Sequence, residues 1–386
     1  MPQLPVLTGK PEIITIPNSE RDKNELFQQL KQHLLRGKLI GLPTETVYGL
    51  ASNGLDTSAI ELIFHMKKRP MNDPIILHVF DFSVAINEIF SLDLFETEIV
   101  QLLSDKFTPG PLTIVAKAKD YIPKVLSNNT GYQGVRVPSH SLTREFLRYL
   151  KLPLAAPSAN VFGHISPTTA QHVLNEFPQE EIYIISGGPS SIGIESTVVK
   201  LCLIDDVYTL SICRPGAITF SMICDALSSI KGLKIIPNER LFFNDDNQHL
   251  YSPGQLLTHY SPKYATYLLK HNNTDLGCFK IQSSVLFDIC GVFANSADSF
   301  THYIKPIESV TFNTNLSMED AGTIRMLQQG LFANLRRSEE LASKLTNPTI
   351  FISWFPKTHL SEALYDRIYR AASGQIKILS HYLNHN

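Results

Sequence analysis

Charge of one sign is what this sequence most lacks. Its 34 Lys and Arg are offset by 36 Asp and Glu, leaving a formal net charge of −2. That excludes the global basic footprint of a dedicated nucleic-acid binder. Cysteine is scarce as well, with five in 386 residues: Cys202, Cys213, Cys224, Cys278 and Cys290. The number is odd and no pair has C-x-x-C spacing, which argues against a disulfide framework or a structural zinc site and for buried thiols in a reducing compartment. No run of about 18 apolar residues occurs, so no membrane-spanning helix is expected. The opening "MPQLPVLTGK" has no basic head followed by an apolar core, so no secretory leader is expected and the compartment is read as cytoplasmic. Both common phosphate loops, G-x-x-x-x-G-K-[ST] and G-x-G-x-x-G, are missing. So are a nucleophile elbow, H-E-x-x-H and clustered metal ligands, so no protein metal site is predicted.

What remains is ordinary globular material, 43% hydrophobic and 18% charged, long enough for two domains. "PEIITIP", "KLIGLP", "PIILHV", "PLTIVAK", "GVRVP", "LPLAAPSAN", "EIYIIS", "STVVKL" and "DVYTLSICRPG" read as strands. Helices are predicted over 20–37, with Leu26, Phe27, Leu30 and Leu34 on one face and Gly37 at the C-terminal cap, and from an Asp56 cap to about Met66 with Ile60, Ile63 and Phe64 inward. Others are predicted over 93–107, 141–150, after Thr168 or Thr169, and over 219–229. Strands and helices mix without strict alternation, which points to an α/β or α+β sheet and away from a clean doubly wound fold. Residues 237–262 have a linker composition, yet hold Leu241, Phe242, Phe243, Tyr251, Leu256, Leu257 and Tyr260. So apolar a segment is expected to lie against a surface. A second α/β unit follows, with strands "GCFKI", "SSVLF", "ESVTF" and "PTIFISW", a helix over 318–345 capped by Ser317, and a last helix over 361–373.

The stretches that carry chemistry are cationic and hydroxylic. "LPTETVYGLA" follows a strand end, where α/β folds bind ligands; its plain alternative is a capping turn. In "KKRPMNDPIILHV", Lys67 and Arg69 can converge on a phosphate or carboxylate, although a charge run is more often a solvated loop. His78 within that apolar run reads, taken alone, as a structural histidine. Arg136 in "GVRVP" must be paired if buried, either by a protein carboxylate or by a ligand's. Ser158, Asn160 and Ser166 surround Gly163 in "APSANVFGHISPT", where hydroxyls, an amide and backbone N–H groups can cradle phosphate. Arg214 ends a strand in "CRPGAI", and "SGGPSSIGIESTVV" is a glycine- and serine-rich loop entering another.

Together these pieces resemble the threonylcarbamoyl-AMP synthase family, built on the YrdC-type domain. "PTETVYGLA", K-x-R-P then "DPIILHV", "TPGPLT", "GVRVP", "APSANVFGHISPT", "ESTVV" and "RPGAI" occur in family order over about residues 13–230. "SPGQLLTHYSP" looks like the linker of the long, two-domain form. The resemblance implies a YrdC-like twisted mixed-sheet domain over 13–236, an ordered linker and lid over 237–262, and a smaller Rossmann-like α/β domain over 263–386. It implies synthesis of threonylcarbamoyl-adenylate from L-threonine, bicarbonate and ATP, with Mg²⁺. A downstream transferase complex would then modify tRNAs that read ANN codons. Near-neutral charge predicts only weak direct tRNA binding.

By the same resemblance, Thr46, His78, Arg136, Ala156 and Ser196 hold threonine. Arg69, Asp73, Tyr132, Ser158, Asn160, Ser166 and Arg214 hold ATP, Tyr260 closes over the nucleotide, and Lys67 joins Arg69 at the bicarbonate and phosphates. Asparagine is usual in the family where Asp73 stands, and a small residue where Tyr132 stands. Two other readings were weighed. One is carbamoyl-adenylate chemistry from carbamoyl phosphate, whose proteins carry additional modules not seen in this chain. The other is a non-catalytic RNA-binding module, which the charge and the absence of RNP and KH motifs disfavour.

Overall fold

The computed structural model describes residues 3–5, 7–237, 257, 259–270, 284–289, 308–311, 318–355 and 357–378. It divides into two compact units. One comprises Met1–Phe162 with Ser166–Gln255, the other Gly163–Ile165 with Leu256–Asn386.

The first unit runs β1 (Glu12–Ile14), α1 (Glu20–Leu35), β2 (Ile40–Leu42), β3 (Gly49–Asn53), α2 (Thr57–Lys67), β4 (Leu77–His78), a short α3 (Phe82–Val84), α4 (Leu94–Phe107), β5 (Leu112–Lys117), β6 (Tyr132–Arg136), α5 (Ser141–Leu150) and β7 (Leu154–Ala155). It continues through α6 (Ala170–Glu176), β8 (Tyr183–Ile185), β9 (Thr197–Ile204), β10 (Val207–Arg214), α7 (Phe220–Ala226) and β11 (Leu233–Ile236). The strands form one mixed 11-stranded sheet in the order β1-β8-β2-β3-β7-β4-β6-β5-β9-β10-β11.

Alternation along the strands decides where a site can lie. Leu112, Ile114 and Ala116 of β5, Val135 of β6, Val199 and Leu201 of β9, and Leu210 and Ile212 of β10 all enter one core cluster, shared with α2, α4, α6 and α7. The residues between them, Thr113, Arg136 and Val198, face the other way. On that second face α1 and α5 bury Leu26, Phe27, Leu30, Leu34, Phe146, Leu147 and Leu150. Each such burial contributes roughly 1.5–3 kcal/mol relative to exposure. The cluster formed there draws its strand residues from β1, β2, β3, β7 and β8. It stops at β7, so on β4, β6, β5 and β9 into β10 this face carries His78, Arg136, Thr113 and Arg214 together with Val115 and Val198.

Local physics fixes the helices. Asp56 accepts from the N–H groups of Ser58 and Ala59 and starts α2, a cap worth about 1 kcal/mol. Asp93 and Glu96 make a reciprocal capping box on α4. Thr169 caps α6 and Thr219 caps α7. Gly37 follows α1 at φ +75°, a left-handed position that favours glycine.

The second unit contains β12 (Ala265–Lys270), β13 (Ser284–Asp288), β14 (Glu308–Thr311), α8 (Ala321–Ala342), β15 (Thr349–Ser353), α9 (Glu362–Ala371) and β16 (Ile376–Ile378). Its strands pair in parallel in the order β14-β13-β15-β12-β16. In α9, Asp366 is ion-paired with both Arg367 and Arg370, all three buried.

Several expectations are revised. Asp320, not Ser317, caps α8 by accepting from the Thr323 N–H; Ser317 itself lies outside the described residues. Of "PIILHV" only Leu77–His78 ladders, because Ile75 N–H bonds to the Leu126 carbonyl and the Ile76 carbonyl accepts from Ala156 N–H. "LPTETVYGLA" is a turn that leads into β3, not a helix start. Strands β11, β12 and β16 were not anticipated. "GCFKI" and most of 237–262 lie outside the described residues.

Candidate functional site

The registers of five neighbouring strands put one row of buried residues across the half of the second sheet face on which α1 and α5 do not pack. His78 pairs with Arg136, Arg136 with Thr113, Thr113 with Val198, and Val198 with Arg214. Paired residues point to the same face, so at about 4.8 Å per strand the row spans roughly 19 Å. Loops at the strand ends add the remaining groups.

Arg136 is 3% exposed and fully engaged. Its Nη2 lies 2.7 Å from Glu45 Oε1, its Nη1 donates to Thr46 Oγ1 at 2.8 Å, and its Nε donates to the Gly110 carbonyl at 3.2 Å. Thr44 Oγ1 donates to the Val47 carbonyl. Because a hydroxyl has one proton, the 2.8 Å contact between Thr46 and Thr44 has Thr46 as donor. Thr46 therefore accepts from Arg136 and donates to Thr44. This turn is fastened to the 186–193 loop by Ser190 Oγ donating to the Thr44 carbonyl and by Ile192 N–H donating to the Glu45 carbonyl. Burial raises the Glu45 carboxyl, but the charge and hydrogen bond of Arg136 outweigh it and hold Glu45 below its usual range.

His78 is 2% exposed. Burial, reinforced by the Arg136 charge, holds its imidazole well below the ordinary value, so it is neutral. Its Nδ1 is buried with no hydrogen-bond partner among the described residues, and such atoms point to a ligand or water. Ala156 is buried nearby in the fold, and Gly49 approaches so closely that a Cβ there would stand 3.3 Å from the Ala156 Cβ.

At the far end of the row, Arg214 donates through Nε to the Ser196 carbonyl and through Nη2 to Ser196 Oγ, both at 3.1 Å. Ser196 Oγ also lies 2.7 Å from Thr113 Oγ1. Ser166 is fully buried and donates to Glu195 Oε1 at 2.6 Å.

The basic run resolves residue by residue. Lys67 closes α2 and is 1% exposed, with Nζ donating to the carbonyls of Ser158 at 2.6 Å and Asn160 at 2.5 Å. Burial, then Arg69, pushes its ammonium well below the ordinary value, while Glu176 and Asp73 oppose the shift. Arg69 is buried too. It donates to the Asp73 and Pro74 carbonyls, and its Nη2 is 2.9 Å from Asp73 Oδ2. Lys68 is exposed and caps α2 in the left-handed conformation at φ 51°. It is the solvated charge of the run, at a backbone position that favours glycine.

Register and hydrogen bonds thus join Thr46, His78, Arg136, Thr113, Ser196 and Arg214, and separate contacts join Lys67 to Ser158 and Asn160, Arg69 to Asp73, and Ser166 to Glu195. One residue stands apart. Tyr132 begins β6, four residues and roughly 13 Å along the strand from Arg136, and its ring lies under Lys200 Nζ at 4.4 Å. Tyr260 belongs to the second unit. There it is fully buried against Phe332 at 5.3 Å and beneath Arg367 at 5.4 Å. Glu45, Thr113 and Glu195 were not singled out from sequence. Among the described residues no group of three His, Cys, Asp or Glu is placed to hold a metal, and no helix is long and apolar enough to cross a membrane.

Comparison with known proteins gives consistent matches. The Sua5/YciO/YrdC family model, described as telomere recombination, matches residues 32–216. The model described as threonylcarbamoyl-AMP synthase, C-terminal domain, matches residues 218–373. The threonylcarbamoyl-AMP synthase of Pyrococcus abyssi is 35% identical over 226 residues, covering 58% of this chain and 62% of that protein. That of Bacillus subtilis is 36% identical over 233 residues, 59% of this chain and 62% of the relative. The matched stretch thus spans about three-fifths of either relative. A Methanocaldococcus jannaschii protein, provisionally given the same name, is 32% identical over 200 residues, 52% of this chain and 90% of its own length. The crystal structure of P. abyssi Sua5 complexed with L-threonine superposes with a TM-score of 0.74 at 24% identity, over 96% of this chain and 99% of that one.

Proposed function

We propose, because the chain belongs to the threonylcarbamoyl-AMP synthase family, that it makes threonylcarbamoyl-adenylate from L-threonine, bicarbonate and ATP with release of pyrophosphate. Residues 13–236 are the catalytic part of this reading and the cytoplasm its compartment. The product would pass to a transferase that modifies tRNA. The observation that supports this best is the row from His78 through Arg136 and Thr113 to Arg214, in which Arg136 is hydrogen-bonded to Thr46 and Arg214 to Ser196.

The reaction needs threonine's amine to add to CO₂ with loss of a proton, or to bicarbonate with loss of water, giving an N-carboxylate. That carboxylate attacks the α-phosphate, the bond to the bridging oxygen breaks, and pyrophosphate departs with the electron pair. Nucleophile and electrophile are both anionic, so the requirement is neutralisation and in-line placement. Arg136 with Thr46 and Ser196 suits the carboxylate and hydroxyl of threonine. Neutral His78 offers Nδ1 as an acceptor to the amine or hydroxyl. Lys67, Arg69 and Arg214 suit bicarbonate and phosphate, and every one of them is already held in place. Donors preorganised in this way typically contribute about 3 kcal/mol each to a transition state. Asp73, an anion in an anion site, is accounted for by its pairing with Arg69.

Mg²⁺ prefers one or two carboxylates plus substrate phosphates. Asp73 and Glu45 are already ion-paired, so the residues present do not form a protein cage for it, and no step is assigned to it.

The test is pyrophosphate release from ATP with threonine and bicarbonate omitted in turn. Dependence on both is expected. Release that instead requires carbamoyl phosphate would reject this reading.

A further inference from the structure

Tyr48 is fully buried, and its hydroxyl sits between two peptide groups of the 186–193 loop. It donates to the Gly188 carbonyl at 2.8 Å and accepts from the Gly187 N–H at 3.1 Å. A phenol has one proton, and here it is given to the loop. Burial pushes the phenol above its ordinary value, so it keeps that proton at neutral pH. His140 Nε2 donates to the Gly187 carbonyl at 3.1 Å. The loop backbone comes so close that a Cβ on Gly187 would stand 2.6 Å from Pro43 Cβ and 2.8 Å from His140 Cε1.

The ring of Tyr48 packs in the core cluster shared with α2, α4, α6 and α7. Its hydroxyl therefore ties the loop to the most rigid part of the unit. Further along, the loop grips the turn that Tyr48 ends: Ser190 Oγ donates to the Thr44 carbonyl at 2.9 Å and Ile192 N–H to the Glu45 carbonyl at 2.7 Å. The side chains of Glu45 and Thr46 in that turn hold Arg136. Just beyond the loop stands Ser196, bonded to Thr113 and Arg214. One serine- and glycine-rich segment thus sets both the partners of Arg136 and the approach to Ser196. It runs between β8 and β9 as a loop, so side chains such as Tyr48 must hold it where a ladder does not.

We propose that Tyr48 is a positioning residue for threonine, its hydroxyl fixing the loop through which Arg136 and Ser196 are oriented. This rests on the reading above that Arg136, Thr46 and Ser196 receive threonine. Tyr48 itself touches no substrate and takes no part in the chemical step. Lys67 and Arg69, read as serving bicarbonate and phosphate, are held by other carbonyls, those of Ser158, Asn160, Asp73 and Pro74. Loss of the Tyr48 hydroxyl should therefore fall on threonine and not on ATP.

The test uses the full chain with Tyr48→Phe, which removes only the hydroxyl, and Ser190→Ala, which removes the bond to the Thr44 carbonyl. Calorimetry measures threonine and ATP separately, and thermal unfolding identifies the variants that fold. Each should bind threonine about tenfold more weakly, with ATP within about threefold of wild type. Because both act through one loop, the double variant should lose less than the product of the two single losses. Ser190→Ala serves alone if Tyr48→Phe does not fold. A folded variant of either kind that binds threonine within about twofold of wild type overturns the proposal. So do equal losses for threonine and ATP, or a double loss equal to the product. Threonine binding that depends on Tyr48, in a chain that releases no pyrophosphate, would support the proposal while rejecting the synthase reading.

Discussion

His78 shows how much one residue's surroundings decide. Free in an unfolded chain it binds a proton near pH 6.5; buried beside Arg136 it does not. The unfolded state therefore takes up more protons as pH falls below about 6.5, and stability falls with it. His33, whose pKa is lowered mainly by burial, acts in the same direction. The unfolding midpoint should drop between pH 7.5 and 5.5, and His78→Gln should remove part of that slope. A midpoint that rises toward pH 5.5 would refute it. Arg136 holds Glu45 and Thr46 through separate prongs of its guanidinium, which an ammonium cannot reproduce. Arg136→Lys should cost threonine about tenfold or more in affinity while ATP stays within about threefold, by calorimetry. Equal losses for both ligands would mean the whole site had collapsed. Arg136 could be picked from sequence because a cation inside an apolar strand needs a partner, and Lys67 and Arg69 because a charge run can converge on an anion. His78 read alone as structural and became a site residue only through the family resemblance. Glu45, Thr113 and Glu195 could not be picked. Thr113 meets Ser196 across 83 residues and Glu195 meets Ser166 across 29, partnerships that only the sheet creates.

At the scale of elements, the chain leaving β10 passes at Gly216 against the start of β9. A Cβ there would stand 2.3 Å from the Thr197 nitrogen and 2.7 Å from the Ser196 carbonyl carbon. Both are backbone atoms, so the strands must shift rather than a side chain. Gly216→Ala should cost about 1–3 kcal/mol of stability. It should also loosen the hold of Arg214 on Ser196, weakening ATP binding beyond any loss of folded protein; thermal unfolding and calorimetry measure the two effects separately. An unchanged unfolding midpoint would contradict the contact. Most helices were legible in the sequence because periodicity and caps are local: α5 over Ser141–Leu150 and the Asp56 cap came directly from residue pattern. Short strands were harder. β4 keeps two residues of a longer apolar run, since its neighbours bond to loops whose approach no local pattern encodes.

For the whole molecule, the proposed reading sets the row from His78 to Arg214 on one face of one sheet, beside the half that helices α1 and α5 bury. The second unit was expected as a small Rossmann-like domain; its described strands do form a separate parallel sheet, but β15 lies between β13 and β12, an order that differs from the Rossmann arrangement. At this scale the account predicts selectivity for threonine over serine of about 10–200-fold in kcat/KM, because a single methyl in a snug pocket contributes about 1–3 kcal/mol. Equal efficiency would contradict a snug fit of that methyl beside Ala156. The most direct measurement of the central claim is mass analysis of the product formed by the purified chain from ATP, threonine and ¹³C-bicarbonate. The account predicts an adenylate whose mass contains threonine and one ¹³C, formed together with pyrophosphate. An adenylate lacking either threonine or the label, or ATP left intact, would contradict it.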